Sequence, residues 1–257
     1  MKSEPVPHPR RGVRRGVYVL PALLTLGNIF CGWLSLEAAV KDQFHLAASL
    51  LFLAGILDGL DGRVARLAHA TSAFGEQLDS LSDVISFGLA PAFLVYRWGL
   101  GGFGRGGLLV AFLFLVCGAC RLARFNAQLG TTDKRYFVGL PIPGGAAVLV
   151  GTVWVHPQPI ASHALKTAFL VMTLVVAYLM VSTFRYRSFK DVDLRSRRSF
   201  RLLPVFGLVI AAIAYKPEVT LTAMAFVFAA SAPVARLVAF VSPRRGSPPP
   251  PAAPEPA

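Results

Sequence analysis

The sequence predicts an all-α integral membrane protein, a polytopic bundle of about eight transmembrane helices, and three observations carry that prediction. Of the 257 residues, 54% belong to the hydrophobic set and 15% are charged, with a mean hydropathy of +0.58, whereas a soluble domain carries about 25% charged residues. The apolar residues are gathered into runs of membrane length. The lysines and arginines are gathered between those runs. A net charge of +13 could suggest nucleic acid, but short basic clusters alternating with apolar spans read as topology signals, and no nucleic-acid partner is expected.

A transmembrane helix needs about 20 largely apolar residues. Runs that approach this fall near 17–40, 44–60, 80–97, 107–124, 142–156, 164–184, 202–215 and 219–241. The first runs too far, and lacks the early small-residue cleavage site, to be a secretory signal. The fourth contains Cys117 and Cys120; with no second pair and no βαβ context, they read as small residues packing in a helix rather than as a redox or metal pair. Pro143 and Pro204 stand near the starts of the fifth and seventh runs, where a missing amide hydrogen costs least. The expected organisation is a basic tail at 1–16, a membrane domain at 17–242, and a Pro-rich tail at 243–257 that cannot bury a core.

An even span count puts both termini on one side. Of 26 basic residues, 21 then fall on the proposed cytoplasmic side, and the other five are Lys41, Arg97, Arg105, Lys166 and Lys216. This bias supports both the count and a cytoplasmic N-terminus in the cell membrane. The seven-charge stretch 185–201 reads mainly as a loop touching anionic lipid, with Lys190 set apart as a candidate phosphate or acceptor contact.

The acidic residues are distributed quite differently. Five of the 13 lie between positions 58 and 83. Asp58 and Asp61 are three apart and share one face of the helix leaving span two; Asp79 and Asp83 are four apart and share one face of the helix entering span three. A short connection makes these helices antiparallel neighbours, so four carboxylates converge near the cytoplasmic boundary. Each acid near a bilayer core costs about 2.5–3.5 kcal/mol on insertion scales, and crowded like charges repel unless cations sit between them. Two hard divalent cations, Mg²⁺ or Mn²⁺, would resolve this. A pair of metals about 4 Å apart also suits displacement at phosphorus. The glycines at 59, 62 and 75 would let a base or phosphate approach the backbone, and the planar fork of Arg66 would grip a diphosphate. The plainer reading, aspartates capping helix ends and pairing with Arg63 and Arg66, suits one Asp-x-x-Asp better than two helical pairs with interposed glycines.

Asp58-x-x-Asp61-Gly62-x-x-Ala65-Arg66, followed after eight residues by Gly75-x-x-x-Asp79-x-x-x-Asp83, resembles the signature of the CDP-alcohol phosphatidyltransferase family without a departure. The resemblance implies metal binding by Asp58, Asp61, Asp79 and Asp83, with Asp83 also the general base. It implies a CDP pocket at Gly62, Ala65, Arg66 and Gly75. Further elements resemble the phosphatidylserine synthase branch: Thr25-x-x-Asn28-x-x-x-Gly32, Arg121-Leu-Ala-Arg124-Phe-Asn126, Gly139-Leu-Pro-Ile-Pro143 and Ser188-Phe-Lys190. That branch would imply CDP-diacylglycerol and L-serine as substrates, and a homodimer in the lipid bilayer. Arg121, Arg124, Asn126, Lys190 and Asn28 are the candidate acceptor or phosphate contacts. A serine carboxylate needs cations near the metal site, and the two arginines emerge on the same membrane face as the aspartates. Glycerol 3-phosphate, inositol phosphate or choline would serve the same chemistry as acceptors. His69 reads as a polar loop residue and Glu76 as a helix-entry charge. A transporter is disfavoured because the acids cluster at one boundary and no inverted repeat is evident.

Overall fold

A computed structural model describes residues 19–68, 72–128, 136–187 and 203–241. The expected tails at 1–16 and 243–257, together with His69, Ser188 and Lys190, lie outside the described residues.

Helix α1 (Val19–Val40) turns at Asp42, which takes φ 56°, and α2 (Phe44–Leu67) returns antiparallel along it. Lipid tails are as apolar as leucine, so helices in a bilayer associate through close packing of small residues. The α1–α2 seam fits that rule: Ala38, Ala39, Ala47, Ala48 and Ala54 are each no more than 4% exposed, and the Ser35 hydroxyl donates to the Ala47 carbonyl at 2.9 Å. Ser72 then caps α3 (Ala73–Asp83), its hydroxyl accepting from the Gly75 amide at 3.0 Å. A π-helical turn at Val84–Leu89 carries α3 into α4 (Ala90–Trp98), forming one continuous rod from Ala73 to Trp98. Pro91 stands at the start of α4, just beyond the turn where the regular hydrogen-bond ladder is already broken.

A short 3₁₀ turn, Leu100–Phe103, leads into α5 (Arg105–Ala127). Then follow β1 (Tyr136–Val138), α6 (Ile142–Val155), α7 (His163–Val181), β2 (Arg185–Arg187), α8 (Leu203–Tyr215) and α9 (Pro217–Val241). The two strands form an antiparallel ribbon with Phe137 opposite Tyr186, a feature that the all-α expectation did not contain. Tyr186 is buried beneath it and its hydroxyl donates to the Ala229 carbonyl of α9 at 3.1 Å. Burial pushes that phenol up to about 12, so it stays a neutral donor at physiological pH.

Helices stand at all eight places where the sequence marks apolar runs. Among the described residues, six are long and apolar enough to cross a membrane: Leu20–Val40, Phe44–Leu67, Ala73–Trp98, Arg105–Ala127, His163–Val181 and Pro217–Val238. The architecture is therefore that of a multi-pass membrane protein. The other two, α6 and α8, have 14 and 13 residues, or about 20 Å each at 1.5 Å per residue, against a core of about 30 Å. Helix α6 is short because its flank is protein. It packs against α2, α4, α7 and α9, eight of its residues are buried, and irregular backbone at membrane depth is tolerated where protein covers it.

Candidate active site

The aspartates are placed by helix periodicity. Asp58 and Asp61 lie one turn apart in α2, and Asp79 and Asp83 one turn apart in α3. The two acidic pairs come together. One carboxylate oxygen from each of Asp58, Asp61 and Asp79 lies within 4.8 Å of the others. Asp83, the last residue of α3, lies against Asp58 within hydrogen-bonding range, and its Oδ1 is buried with no hydrogen-bond partner.

This donor set fits a divalent cation. It offers only carboxylate oxygens, the ligands preferred by hard cations. Among the described residues the side-chain ion pairs are Lys41–Glu37, His45–Glu218 and Arg97–Asp42, all near the opposite end of the bundle. The four aspartates therefore crowd together without a neutralising side chain at ion-pair distance.

Helix α1 closes the site from a second side. The Thr25 hydroxyl lies 2.8 Å from Asp61 Oδ2, and the Asn28 amide nitrogen lies 3.4 Å from Asp58 Oδ1. Asn28 is fully buried and its Oδ1 has no partner. Gly32, one turn further along, is where α1 touches the π turn. A Cβ there would stand 2.7 Å from Ser86 Oγ and 3.2 Å from Ser86 Cα.

A cavity of about 640 Å³ opens beside the centre, within the usual range of small-ligand sites. Asp61, Gly62, Ala65 and Arg66 line it from α2, Gly75, Glu76 and Asp79 from α3, and Pro21, Leu23, Thr25 and Leu26 from α1. The structure thus brings Gly62, Ala65, Arg66 and Gly75 to one cavity with two of the aspartates. Glu76 stands exposed in the first turn of α3.

The remaining candidates separate. Arg124 spends its guanidinium on backbone: it donates to the carbonyls of Val181 at 3.1 Å, Val138 at 3.1 Å and Ser182 at 3.3 Å. It stitches the end of α7 to the ribbon. Gly139 is part of the same joint, with φ 79° and a Cβ position that would clash with the Met180 carbonyl oxygen. Asn126 donates to Ser80 Oγ at 2.9 Å, tying α5 to α3 beside Asp79. Arg121 differs. It is 7% exposed, lies over the Phe125 ring, and is close enough to Asp83 to interact with its charge, yet its Nε has no partner. Cys117 and Cys120 are both free thiols.

The sequence reading did not foresee Ser86 or Ser80. The Thr25, Asn28 and Gly32 spacing, readable as one helix face, was the available signal for the α1 contacts; no sequence signal marks the π turn.

Fold and site together define a multi-pass membrane protein with a carboxylate centre able to hold a divalent metal at one end of its bundle. The CDP-alcohol phosphatidyltransferase family model matches residues 18–184, and the chain belongs to that family. Among its relatives is a CDP-diacylglycerol–serine O-phosphatidyltransferase of Helicobacter pylori, 43% identical over 194 residues, which cover 75% of this chain and 82% of the relative. Proteins with the same name from Mycobacterium leprae and Bacillus subtilis are 35% and 33% identical, over 82% and 66% of this chain and 71% and 91% of their own lengths.

Proposed function

We propose that this chain transfers the phosphatidyl group of CDP-diacylglycerol to L-serine, giving phosphatidylserine and CMP. The observation that carries the proposal is the convergence of Asp58, Asp61 and Asp79 on one point beside a cavity lined by Gly62, Ala65, Arg66 and Gly75. The serine assignment is supported by the relatives named above. A geometric observation favours it too. Buried Asp83 Oδ1 and buried Arg121 Nε are both unpartnered, and a hydroxy acid offers a hydroxyl to the first and a carboxylate to the second.

In this reading the cavity takes the CDP moiety, with Arg66 at its diphosphate and the apolar α1 residues toward the acyl chains. Asp58, Asp61, Asp79 and Asp83 hold two divalent cations, Mg²⁺ or Mn²⁺, whose charge, when bound, offsets that of the diphosphate oxygens. Arg121 orients the serine carboxylate. Asp83 accepts the serine hydroxyl proton, the serine oxygen forms a bond to the β-phosphorus, and the bond from that phosphorus to the CMP oxygen breaks. The charge bias supports a site and both termini at the cytoplasmic face, where serine and CMP exchange with the cytosol. Eight spans are proposed, with α6 and α8 completing the six long ones, and the working unit is proposed to be a homodimer.

The test is full-length protein in detergent with CDP-diacylglycerol, Mn²⁺ and a panel of alcohols, following CMP. CMP release with serine alone supports the reading. Release with glycerol 3-phosphate, inositol phosphate or choline, and none with serine, would move the chain to another branch of its family.

A further inference from the structure

We infer that Thr25 and Asn28 are positioning residues, which set the Asp61 and Asp58 carboxylates in the orientation that a divalent cation needs. The inference rests on the metal-centre reading above and goes beyond it, because it assigns the geometry of the α2 ligands to a different helix.

Burial comes first. Thr25 is 5% exposed and Asn28 and Asp61 are 0% and 4%. A hydroxyl and a primary amide at such depth are costly if they satisfy nothing. Leucine or alanine would pack the α1–α2 seam as well, as they do further along it. The polar pair is placed instead where the aspartates are.

Register comes second. Thr25 and Asn28 are one turn apart on α1, and they meet Asp61 and Asp58, one turn apart on antiparallel α2, in reversed order. Both contacts form in one register only. Outside the acidic centre that register is held by Ser35 on the Ala47 carbonyl, while Ser86 Oγ, donating to the Asn28 carbonyl at 3.0 Å, and Gly32, pressed against Ser86, join α1 to the π turn. The π turn that follows Asp83 thereby braces α1 as well.

Carboxylate chemistry comes third. A donor on Asp61 Oδ2 and a donor on Asp58 Oδ1 restrict the rotation of each carboxylate and so set the direction in which its oxygens meet a cation. Loss of such outer contacts typically costs ten- to a hundredfold in metal affinity.

The competing reading is that Thr25 is simply back-bonded, since its hydroxyl also lies 3.1 Å from the Pro21 carbonyl four residues earlier, a common habit of helical threonine. The two readings part on metal affinity. Full-length protein in detergent would be titrated with Mn²⁺, free Mn²⁺ being read by electron paramagnetic resonance, for wild type, Thr25→Val, Thr25→Ser, Asn28→Leu and Asp61→Asn. Thermal unfolding without metal serves as the folding control. Thr25→Val and Asn28→Leu are expected to weaken Mn²⁺ binding by about ten- to a hundredfold with little change in metal-free unfolding, and Thr25→Ser to recover most of the affinity. Should Asn28→Leu fail to fold, the near-isosteric Thr25→Val and its serine counterpart decide the matter. Wild-type Mn²⁺ affinity in Thr25→Val, with affinity lost in Asp61→Asn, overturns the positioning role and leaves the metal centre standing. Wild-type affinity in Asp61→Asn as well overturns both.

Discussion

Arg121 and Asp83 lie near each other inside the bundle without forming an ion pair. Arg121 Nε and Asp83 Oδ1 are each buried and each without a hydrogen-bond partner, although each feels the other's charge. Three residues on, Arg124 donates to three backbone carbonyls. One short motif therefore contains a buried arginine whose Nε is unpartnered and an arginine engaged by three backbone carbonyls.

That contrast sets the first prediction. Arg121→Ala should raise the serine KM by roughly ten- to a hundredfold, the worth of one charge-assisted contact of about 1.5–3 kcal/mol. Lysine should rescue it incompletely, lacking the planar fork. Arg124→Ala should instead lower the unfolding temperature while sparing the serine KM of the folded fraction. Serine saturation at fixed CDP-diacylglycerol, read alongside thermal unfolding, separates the two, and a raised KM in Arg124→Ala alone would reverse the assignment.

The joint that Arg124 stitches makes a second prediction. Gly139 takes φ 79° and has no room for a Cβ against the Met180 carbonyl, so Gly139→Ala faces both backbone strain and a clash. A loss of more than about 1 kcal/mol is expected, visible as a lower unfolding midpoint in detergent. An unchanged midpoint would mean that the ribbon adapts easily.

A third prediction concerns topology. With eight spans and cytoplasmic termini, reporters fused at positions 158 and 192 should report opposite sides, with 192 cytoplasmic. Both on one side would show that α7 does not cross as proposed, and would remove the charge-bias argument for a cytoplasmic site.

Much of this was legible in the sequence because the relevant physics is local. The spacing of Asp58 with Asp61 and of Asp79 with Asp83 fixes helix faces directly, and each apolar run coincides with a helix or, for the third, with the α3–α4 rod, although the runs miss the polar end of α2 and the start of α3. The third apolar run starts near 80 because Ala73–Ser80 is too polar to count toward a membrane span, although Glu76 reads as a helix-entry charge; the Ser72 cap shows that this polar stretch is the first part of the rod. Contacts between distant residues were not legible. Arg124 reaches carbonyls 57 and 58 residues away, Asn126 finds Ser80 46 residues back, and the π turn at Val84–Leu89 leaves no mark in composition. Arg121 and Arg124 look equivalent in sequence, and packing alone distinguishes them.

The most direct test of the central proposal uses Asp83, the residue assigned both a cation and a proton. CMP release from CDP-diacylglycerol would be measured with Mn²⁺, with and without serine, for wild type and Asp83→Asn. Removing a general base costs about 10²–10⁴ in rate, and loss of a shared metal ligand adds to that. Serine-dependent CMP release is expected from wild type, with stoichiometric phosphatidylserine, and a fall by at least a hundredfold is expected in Asp83→Asn while CDP-diacylglycerol binding is largely retained. Near-normal serine-dependent turnover in Asp83→Asn would contradict the assigned chemistry.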